Sequence, residues 1–291
     1  MKDGCFNPQL TQDGSYTFFS EEFQETFHSS FGAKQEAEVR YIQPCAIAQL
    51  ARQQTTIRLL DICYGLGYNS AAALEAIWSV NPQCRVELIA LEIALDVPRQ
   101  AIAHELLNQW RSPVPDLLTK LAQTSLVENK FLTAKLLLGD ARTTIQSVIK
   151  ENWQADAIFL DPFSPPKCPQ LWTIEFIQLV AQCLVPQGKL ATYSCSAAVR
   201  TAILNAGLEI GSITGAGRKS PGTLARFKYQ NIPKLALKEQ EHLQTRAAIP
   251  YRDRNLQDSA AEIICRRQQE QQLSNLESTS QWRKRWRLLN I

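Results

Sequence analysis

Four acidic residues follow short apolar segments in the middle of this chain, namely Asp61, Glu92, Asp140 and Asp161. Helical patterns separate these segments, an alternation that predicts parallel strands joined by right-handed βαβ crossovers. Because the carboxyl ends of parallel strands meet at one edge of a sheet, we expect the four side chains to face a common crevice. A row of carboxylates there suits a positively charged ligand held beside a second reactant.

Two glycines, Gly65 and Gly67, lie between the first of these strands, at 57–63, and the helix that follows it at 69–79. Glycine allows a ligand to approach the backbone closely and permits positive φ angles. The third glycine of the dinucleotide fingerprint is absent, which argues against NAD or FAD. Asp61 would repel a pyrophosphate but suits the ammonium or sulfonium group of S-adenosylmethionine, which we therefore predict as the cofactor.

Two further cofactor contacts are predicted from acids that lie at the ends of strands. Glu92 ends the second strand, where a carboxylate can accept hydrogen bonds from both ribose hydroxyls. Asp140 ends the third strand and is placed to meet an adenine amino group. A single strand-end acid is commonly a helix cap, so the prediction depends on the acids acting together. Position alone thus favours Asp61, Gly65, Gly67, Glu92 and Asp140 as cofactor-binding residues.

A proline-rich loop, Asp-Pro-Phe-Ser-Pro-Pro at 161–166, follows the fourth strand. Its prolines fix their own φ angles and restrict the residues before them, which makes a stiff site. Methyl transfer is an in-line displacement, in which positioning supplies much of the acceleration. An amine acceptor must react unprotonated, and Asp161 is the candidate that accepts its proton or orients it. We place Phe163 and Lys167 at the substrate side, although packing of the loop explains the aromatic ring equally well.

Composition narrows the class of protein. With 291 residues, 45% of them hydrophobic and 20% charged, the chain can form one core with an appendage. It begins without the basic and apolar segments of a signal peptide and has no apolar run long enough to span a membrane. We therefore expect a cytoplasmic protein without membrane contacts. Its eight cysteines form no C-x-x-C pair and it has three histidines, which argues against disulfides and against a metal site.

The net charge of +3 hides an asymmetry along the chain. Residues 1–190 contain 15 Lys/Arg and 20 Asp/Glu, whereas residues 191–291 contain 16 Lys/Arg and 8 Asp/Glu. A polyanionic partner of the C-terminal third would explain this difference, because contacts with phosphates depend on Lys and Arg. A solvated basic surface explains it equally well.

The order of elements predicts an α/β fold with a doubly wound, mostly parallel, seven-stranded sheet of the Rossmann-like type. Leu208–Ile213 and Leu224–Tyr229 are expected to close the sheet as an antiparallel pair. We divide the chain into an N-terminal strand segment at 1–55, a core domain at 56–231 and a helical, basic tail at 232–291. The oligomeric state stays open, with a monomer favoured.

Four segments resemble the methyltransferase module of MnmC-type enzymes, which form 5-methylaminomethyluridine at the wobble position of tRNA. They are Phe31–Glu36, the glycine loop at 61–69, the loop from Leu160 through Trp172, and Gly215–Lys219. The resemblance covers about residues 15–230. It implies methyl transfer from S-adenosylmethionine to the aminomethyl nitrogen on C5 of U34, with Asp161 at the acid that the family uses at its catalytic centre. Asp61, Gly65, Gly67, Asn69, Glu92 and Asp140 fall at cofactor-contacting positions of the family, and with the neighbouring Tyr64 and Ala141 they make up the predicted cofactor-binding residues.

The chain departs from the family pattern in several places. Cys63 stands where many members have glycine, Leu66 replaces a small polar residue, and Pro162 replaces the glycine after the catalytic acid. Bifunctional members also carry a flavin-dependent oxidase, for which this chain has neither the length nor a second dinucleotide fingerprint. The resemblance therefore implies methylation only, without flavin, of a substrate made by another enzyme.

The partner that the resemblance implies is tRNA. We predict that Arg218 and Lys219 bind this substrate. A basic cluster in the tail is predicted to contact its phosphates as well: Arg283, Lys284, Arg285 and Arg287. In the alternative interpretation, Trp282 and Trp286 only pack a closing helix.

Two other functions stay open on the sequence alone. An aminopropyltransferase of the spermidine synthase type shares the sheet and a related cofactor, but it has no use for a basic C-terminal third. A nucleic-acid-binding protein with a degenerate methyltransferase fold would have no need of the acids at 61, 92, 140 and 161.

Overall fold

A computed structural model describes residues 6–213, 220–228 and 232–289 of the chain. The N-terminal part forms two short antiparallel ribbons, followed by a bent helical segment. The ribbons pair β1 (Gln9–Leu10) with β2 (Tyr16–Thr17) and β3 (Phe19–Ser20) with β4 (Glu25–Thr26). The helical segment contains α1 (Ala33–Ala37), a π-helical turn at Glu38–Ile42, and α2 (Ile47–Gln53). The strands expected in this region are therefore present, as two ribbons.

The core is a sheet of eight strands among the described residues. They are β5 (Thr56–Ile62), β6 (Arg85–Glu92), β7 (Leu126–Glu128), β8 (Leu132–Leu138), β9 (Ala155–Leu160), β10 (Leu184–Thr192), β11 (Leu208–Ile213) and β12 (Gly222–Phe227). The spatial order is β11-β12-β10-β9-β5-β6-β8-β7, and β8, β6, β5, β9 and β10 are parallel. This confirms the predicted doubly wound α/β fold and the closing antiparallel pair of β11 and β12.

Helices cover both faces of the sheet. They are α3 (Tyr68–Val80), α4 (Asp96–Ala103), α5 (Val114–Thr124), α6 (Ala141–Lys150), α7 (Ile174–Gln182) and α8 (Ala197–Asn205). Successive residues of a strand point to opposite faces, so Leu59 joins the core beneath α3 and α5 whereas Leu60 joins the core beneath α6, α7 and α8. None of the helices in the described ranges is long and apolar enough to cross a membrane.

The sheet has one strand more than the predicted seven. The additional strand is β7, which is three residues long and pairs antiparallel with β8 at the sheet edge. Its sequence falls in the segment 111–130, for which prolines and a helical pattern predict a helical insertion. Only Val114–Thr124 is helical, because Ser125 adopts a left-handed conformation at φ +59° and ends α5. The chain then returns along β8.

The C-terminal part packs onto the core. It contains α9 (Leu237–His242), a 3-10 turn at Arg246–Ala248, α10 (Ala260–Leu273) and α11 (Thr279–Leu289). The predicted helical character of the tail is therefore confirmed for its described residues. Tyr251 and Ile263 belong to the core beneath α7, and Tyr251 also forms a β-bridge with Thr173.

The two tryptophans of the tail pack α11 against α9. Trp282 is 6% exposed, and its ring stacks on that of His242 with centroids 4.5 Å apart. Trp286 donates a hydrogen bond of 2.8 Å to the carboxylate of Glu241. Both tryptophans therefore pack α11, as the alternative interpretation expected. Any contacts of α11 with phosphates must come from its charged residues.

A buried ion pair joins the tail to α6. The carboxylate of Asp253 is fully buried and accepts a hydrogen bond of 2.7 Å from Arg142. The same guanidinium donates to the carbonyl of Asp258 at 2.9 Å. The backbone N–H groups of Gln257 and Asp258 donate to the other oxygen of Asp253. The carboxylate is thus fully enclosed by donors, and Arg142 is its counter-ion.

We expect Arg142→Ala to lower the free energy of unfolding by about 3 kcal/mol, because it leaves the carboxylate of Asp253 buried without its counter-ion. Arg58→Ala is the matched control, since it removes an ion pair with Glu87 that is partly exposed, and it should cost less than about 1 kcal/mol. Urea denaturation followed by circular dichroism measures both values. Equal losses in the two variants would contradict this account of the tail.

Candidate active site

A large cavity opens at the carboxyl ends of the parallel strands. Its volume is about 1420 Å³, which exceeds the roughly 300–1,000 Å³ typical of small-molecule pockets. Its walls come from the glycine loop, the proline-rich loop, the ends of β6 and β8, and the β3–β4 ribbon. The cavity is therefore large enough for a cofactor and a second reactant side by side.

The glycine loop joins β5 to α3 through a left-handed backbone. Gly67, at φ +83°, directly precedes α3, and a Cβ atom there would lie 2.5 Å from the hydroxyl of Tyr64. Gly65, at φ +55°, lines the cavity. Tyr64 is buried and does not line the cavity, and neither does Gly67. Glycine at position 67 is thus required for space as well as for conformation.

Glu92 ties the glycine loop to the end of β6. Its carboxylate lines the cavity and accepts hydrogen bonds from the backbone N–H groups of Gly65, Ile93 and Ala94, at 2.9, 2.8 and 3.4 Å. Burial raises the pKa of Glu92, and these three donors counteract the effect. A carboxylate has further acceptor sites, so this geometry is compatible with the predicted contact to ribose hydroxyls.

Asp61 does not line the cavity. It is fully buried on β5, and its Oδ2 accepts a hydrogen bond of 2.6 Å from Ser70 of α3. Its Oδ1 is buried and has no hydrogen-bond partner among the described residues. Burial raises the pKa of Asp61 to about 8 against the effect of Ser70, with smaller contributions from the charges of Asp161 and Glu92. Its contact with the cofactor ammonium stays a prediction.

Asp140 lines the cavity and is also the N-cap of α6. It accepts a hydrogen bond of 2.8 Å from the N–H of Arg142 and forms an ion pair of 2.7 Å with the guanidinium of the same residue. Burial acts to raise the pKa of Asp140, but these bonds outweigh it and the pKa is lowered. Helix capping therefore engages part of this carboxylate. The next residue, Ala141, also lines the cavity.

Asp161 lies at the end of β9, and its carboxylate lines the cavity. Both oxygens accept hydrogen bonds from distant parts of the chain. Oδ1 accepts one from the hydroxyl of Tyr41 at 2.5 Å, and Oδ2 accepts one from the amide of Asn69 at 2.9 Å. Asn69, predicted as a cofactor contact, thus binds the candidate catalytic acid and does not line the cavity.

Hydrogen bonds restrain the rest of the proline-rich loop. Tyr193 donates to the carbonyl of Pro162 at 2.9 Å, and the indole of Trp172 donates to the carbonyl of Phe163, also at 2.9 Å. Tyr193 lies in the cavity wall, while Trp172 is fully buried behind the loop. These bonds add to the restraint that the prolines impose on the backbone.

Aromatic side chains from the N-terminal segment face the same loop. Phe23 stacks on Phe163 with ring centroids 4.3 Å apart and an angle of 15° between the planes. Phe27 meets Phe163 edge-on at 4.9 Å. Glu25 of β4 accepts hydrogen bonds from the N–H and hydroxyl of Ser164. All five residues line the cavity, so the ribbon and the loop together form one wall.

The other predicted substrate residues are placed differently. Lys167 is exposed and does not line the cavity. Arg218 and Lys219 lie outside the described residues. Of the two predicted substrate residues that the structure describes, Phe163 lines the cavity and Lys167 does not.

Sequence reasoning missed Tyr41, Phe23, Phe27 and Glu25. For the aromatic residues a signal exists, because six of the eleven phenylalanines precede residue 32, a high density for a short strand segment. For Tyr41 no local signal exists, since its partner Asp161 is 120 positions away in the sequence.

The cavity is strongly acidic. Among the described residues its lining includes one guanidinium, that of Arg99, and eight carboxylates: Glu21, Glu22, Glu25, Glu36, Glu92, Asp96, Asp140 and Asp161. A crevice lined by charges of one sign focuses the field and attracts ions of opposite charge. A sulfonium cofactor and a protonated amine are both cations, so these residues fit S-adenosylmethionine.

An acidic cavity beside a glycine loop, at the ends of the parallel strands, is expected of a methyltransferase that uses S-adenosylmethionine. Residues 98–228 match a family model described as S-adenosyl-L-methionine-dependent methyltransferase, so this is the class of the enzyme and its cofactor. The chain is 34% identical to MnmC2 from Aquifex aeolicus, with a TM-score of 0.82 to its crystal structure, covering 94% of this chain and 87% of that one. The chain belongs to the MnmC2 family.

Two further relatives extend the comparison. An uncharacterized protein of Methanocaldococcus jannaschii is 30% identical over 264 residues, which cover 87% of this chain and 69% of that protein. The bifunctional protein MnmC of Ralstonia nicotianae, named for tRNA 5-methylaminomethyl-2-thiouridine biosynthesis, is 30% identical over 234 residues. That alignment covers 76% of this chain and 34% of the relative, so the chain matches about a third of the bifunctional protein.

Cys63 has a left-handed backbone at φ +67°, where a Cβ atom is strained. We expect Cys63→Gly to be more stable than Cys63→Ala by about 1 kcal/mol, because only glycine relieves this strain. Cys183→Gly and Cys183→Ala are the control pair, because Cys183 has an ordinary φ of −84°. At this position the alanine variant should be the more stable of the two. Differential scanning calorimetry measures all four variants. A more stable alanine variant at position 63 would refute the assignment of strain.

Proposed function

We propose that this protein methylates the amino nitrogen of 5-aminomethyluridine at the wobble position of tRNA, giving 5-methylaminomethyluridine. The observation that carries the proposal is that one acidic cavity contains both Glu92 with its glycine loop and the wall formed by Asp161 and Phe163. Membership in the MnmC2 family supports it, as does the name of the bifunctional relative from Ralstonia nicotianae.

When bound, S-adenosylmethionine would supply an electrophilic methyl group, whose C–S bond would break, leaving S-adenosylhomocysteine, as the lone pair of the amine forms the new N–C bond. An amine that binds as the ammonium must first release a proton, and Asp161 is the carboxylate placed to accept it. The chain contributes by placing the amine. Asp161 is suited to this task because a carboxylate accepts a hydrogen bond from an amine N–H and so directs the lone pair. The loop that follows Asp161 is held by Trp172 and Tyr193, which limits the movement of this acceptor.

The acidic lining determines which part of an RNA substrate enters. Eight carboxylates attract a protonated amine and repel phosphates, so we expect the modified base to enter while the RNA backbone stays outside. Enzymes that modify bases generally extrude the target base into a pocket. Phe163 and Phe23 cover one face of each other's ring by stacking, and both line the cavity, so we expect such a base to stack on an outer ring face of this pair.

The two alternatives receive less support. An aminopropyltransferase would also use an acidic cavity, but membership in the MnmC2 family favours methyl transfer to tRNA. A degenerate fold that only binds nucleic acid is not favoured either, since Glu92, Asp140 and Asp161 all line an open cavity.

Incubation with methyl-labelled S-adenosylmethionine and tRNA from a strain that lacks this methylation should place label on the tRNA. We expect Asp161→Asn to reduce turnover about 100-fold or more, with the cofactor Kd changed less than about threefold, because the variant loses the charge that orients the amine. Asp156→Asn, at the opposite end of β9, is the control and should keep wild-type turnover.

Three results would contradict this assignment. Methyl label in the polyamine fraction, with none in tRNA, would make a polyamine the methyl acceptor, and label left only in methylthioadenosine would indicate aminopropyl transfer. Equal losses of turnover and of cofactor affinity in Asp161→Asn would assign this residue to cofactor binding.

The exposed face of α11 is the proposed contact with the tRNA backbone. Arg283, Lys284 and Arg287 are exposed there. Arg285 differs, because it forms ion pairs with the carboxylates of two glutamates at 2.7 and 2.9 Å. Phosphate contacts on this helix are therefore assigned to the three other cations.

We expect the double variant Arg283→Gln, Arg287→Gln to bind tRNA more weakly and to reduce the slope of log K against log salt by about 2, one for each lost phosphate contact. Arg285→Gln is the matched control on the same helix and should leave the slope unchanged, because that charge is already neutralised. Filter binding between low and moderate salt measures both slopes. An unchanged slope in the double variant would remove the tail from the tRNA contact.

A further inference from the structure

Tyr41 reaches the reaction centre from a part of the chain that no motif marks. It lies in the π-helical turn at Glu38–Ile42, a rare geometry that occurs frequently at functional sites. The preceding residue, Arg40, is also buried and donates to the carbonyls of Ile213 and Ser220, at 3.1 and 2.8 Å. The turn therefore directs two consecutive polar side chains inward, one toward β11 and β12 and the other toward the cavity.

The tyrosine is fixed by its surroundings. It is 1% exposed, and its ring packs edge-on against Phe159 with centroids 5.9 Å apart. Burial, followed by the negative charge of Asp161, raises the pKa of Tyr41 well above its usual value. The hydroxyl consequently remains protonated at physiological pH, and it is the donor in the bond to the carboxylate.

Asn69 binds the second oxygen of the same carboxylate. It is 5% exposed in the first turn of α3, which begins directly after Gly67. The turn that shapes the cofactor loop thus also sets the direction of this amide. A carboxylate oxygen has two acceptor sites, so the bonds from Tyr41 and Asn69 do not by themselves prevent Asp161 from accepting a hydrogen bond from a substrate amine.

We propose that Tyr41 and Asn69 are positioning residues, which hold the Asp161 carboxylate in the one orientation from which it accepts a hydrogen bond from the substrate amine. The inference rests on the proposed function, in that an amine is the methyl acceptor. The terminal torsion of an aspartate side chain is broad, so one donor alone leaves the carboxylate able to turn. Misplacement of reacting groups by about 1 Å costs on the order of 100-fold in rate.

Tyr41→Phe removes one donor and keeps the ring. We expect kcat to fall about tenfold or more while the cofactor Kd stays within about twofold of wild type. Tyr68→Phe is the matched control, because it also removes a hydroxyl from a buried tyrosine, one that donates to the carbonyl of Tyr16 at 2.9 Å, and it should keep wild-type kcat. Asn69→Leu tests the second donor with a side chain of similar size and should behave like Tyr41→Phe; it decides the matter if Tyr41→Phe does not fold.

A double-mutant cycle separates positioning from a purely structural role. In an Asp161→Asn background, Tyr41→Phe should cause no further loss of kcat, because it acts only through that carboxylate. A loss as large as in the wild-type background overturns the proposal. Wild-type kcat in both Tyr41→Phe and Asn69→Leu overturns it as well.

A second measurement is independent of activity. Crystal structures should show the Asp161 carboxylate turned from its wild-type direction in Tyr41→Phe and unchanged in Tyr68→Phe. An unchanged carboxylate in Tyr41→Phe overturns the proposal. If the wild-type protein transfers no methyl group to tRNA, the proposed function fails, yet the orientation of this carboxylate still decides whether Tyr41 positions it.

Discussion

Negative charge gathered at neighbouring strand ends is the constraint on which the rest of this site depends. Asp61, Glu92 and Asp161 lie at or near the ends of three adjacent parallel strands. Carboxylates withdrawn from water are costly unless they are hydrogen-bonded, and like charges nearby increase the cost. The raised pKa of Asp61, caused first by burial and increased by the two other acids, is a direct consequence.

Each of these carboxylates accepts a hydrogen bond from a donor that the local backbone conformation points toward it. The glycine loop turns an N–H toward Glu92, the first turn of α3 presents Ser70 to Asp61, and the π-helical turn brings a tyrosine hydroxyl to Asp161. These donors belong to segments that differ in sequence and in secondary structure, yet they converge on one edge of the sheet. A site whose charges are fixed in this way needs little reorganisation during the reaction, which is the basis of electrostatic catalysis.

Features encoded by neighbouring residues could be predicted from the sequence. The order of strands and helices and the positions of Glu92 and Asp161 follow from short patterns, and the structure places both acids in the cavity wall. The contact of Tyr41 could not be predicted, because it depends on how the N-terminal segment packs against the sheet. Asp140 is an intermediate case, because a helix cap and a cavity-lining acid have the same sequence signature. The hydrogen bond from the N–H of Arg142 shows the cap, and the position of Asp140 in the cavity wall shows that both apply.

The distribution of charge in space explains the asymmetry along the sequence. Acids from the N-terminal segment and the sheet converge on the cavity, whereas exposed cations lie on α11. A small polyamine would match only the first of these surfaces. The proposed substrate, an RNA that carries one cationic amine, would match both, because the tail would attract its phosphates and the cavity would repel them. On the proposed function, the same repulsion would keep the RNA backbone away from the carboxylates, so the tail and the cavity would act on different parts of one substrate.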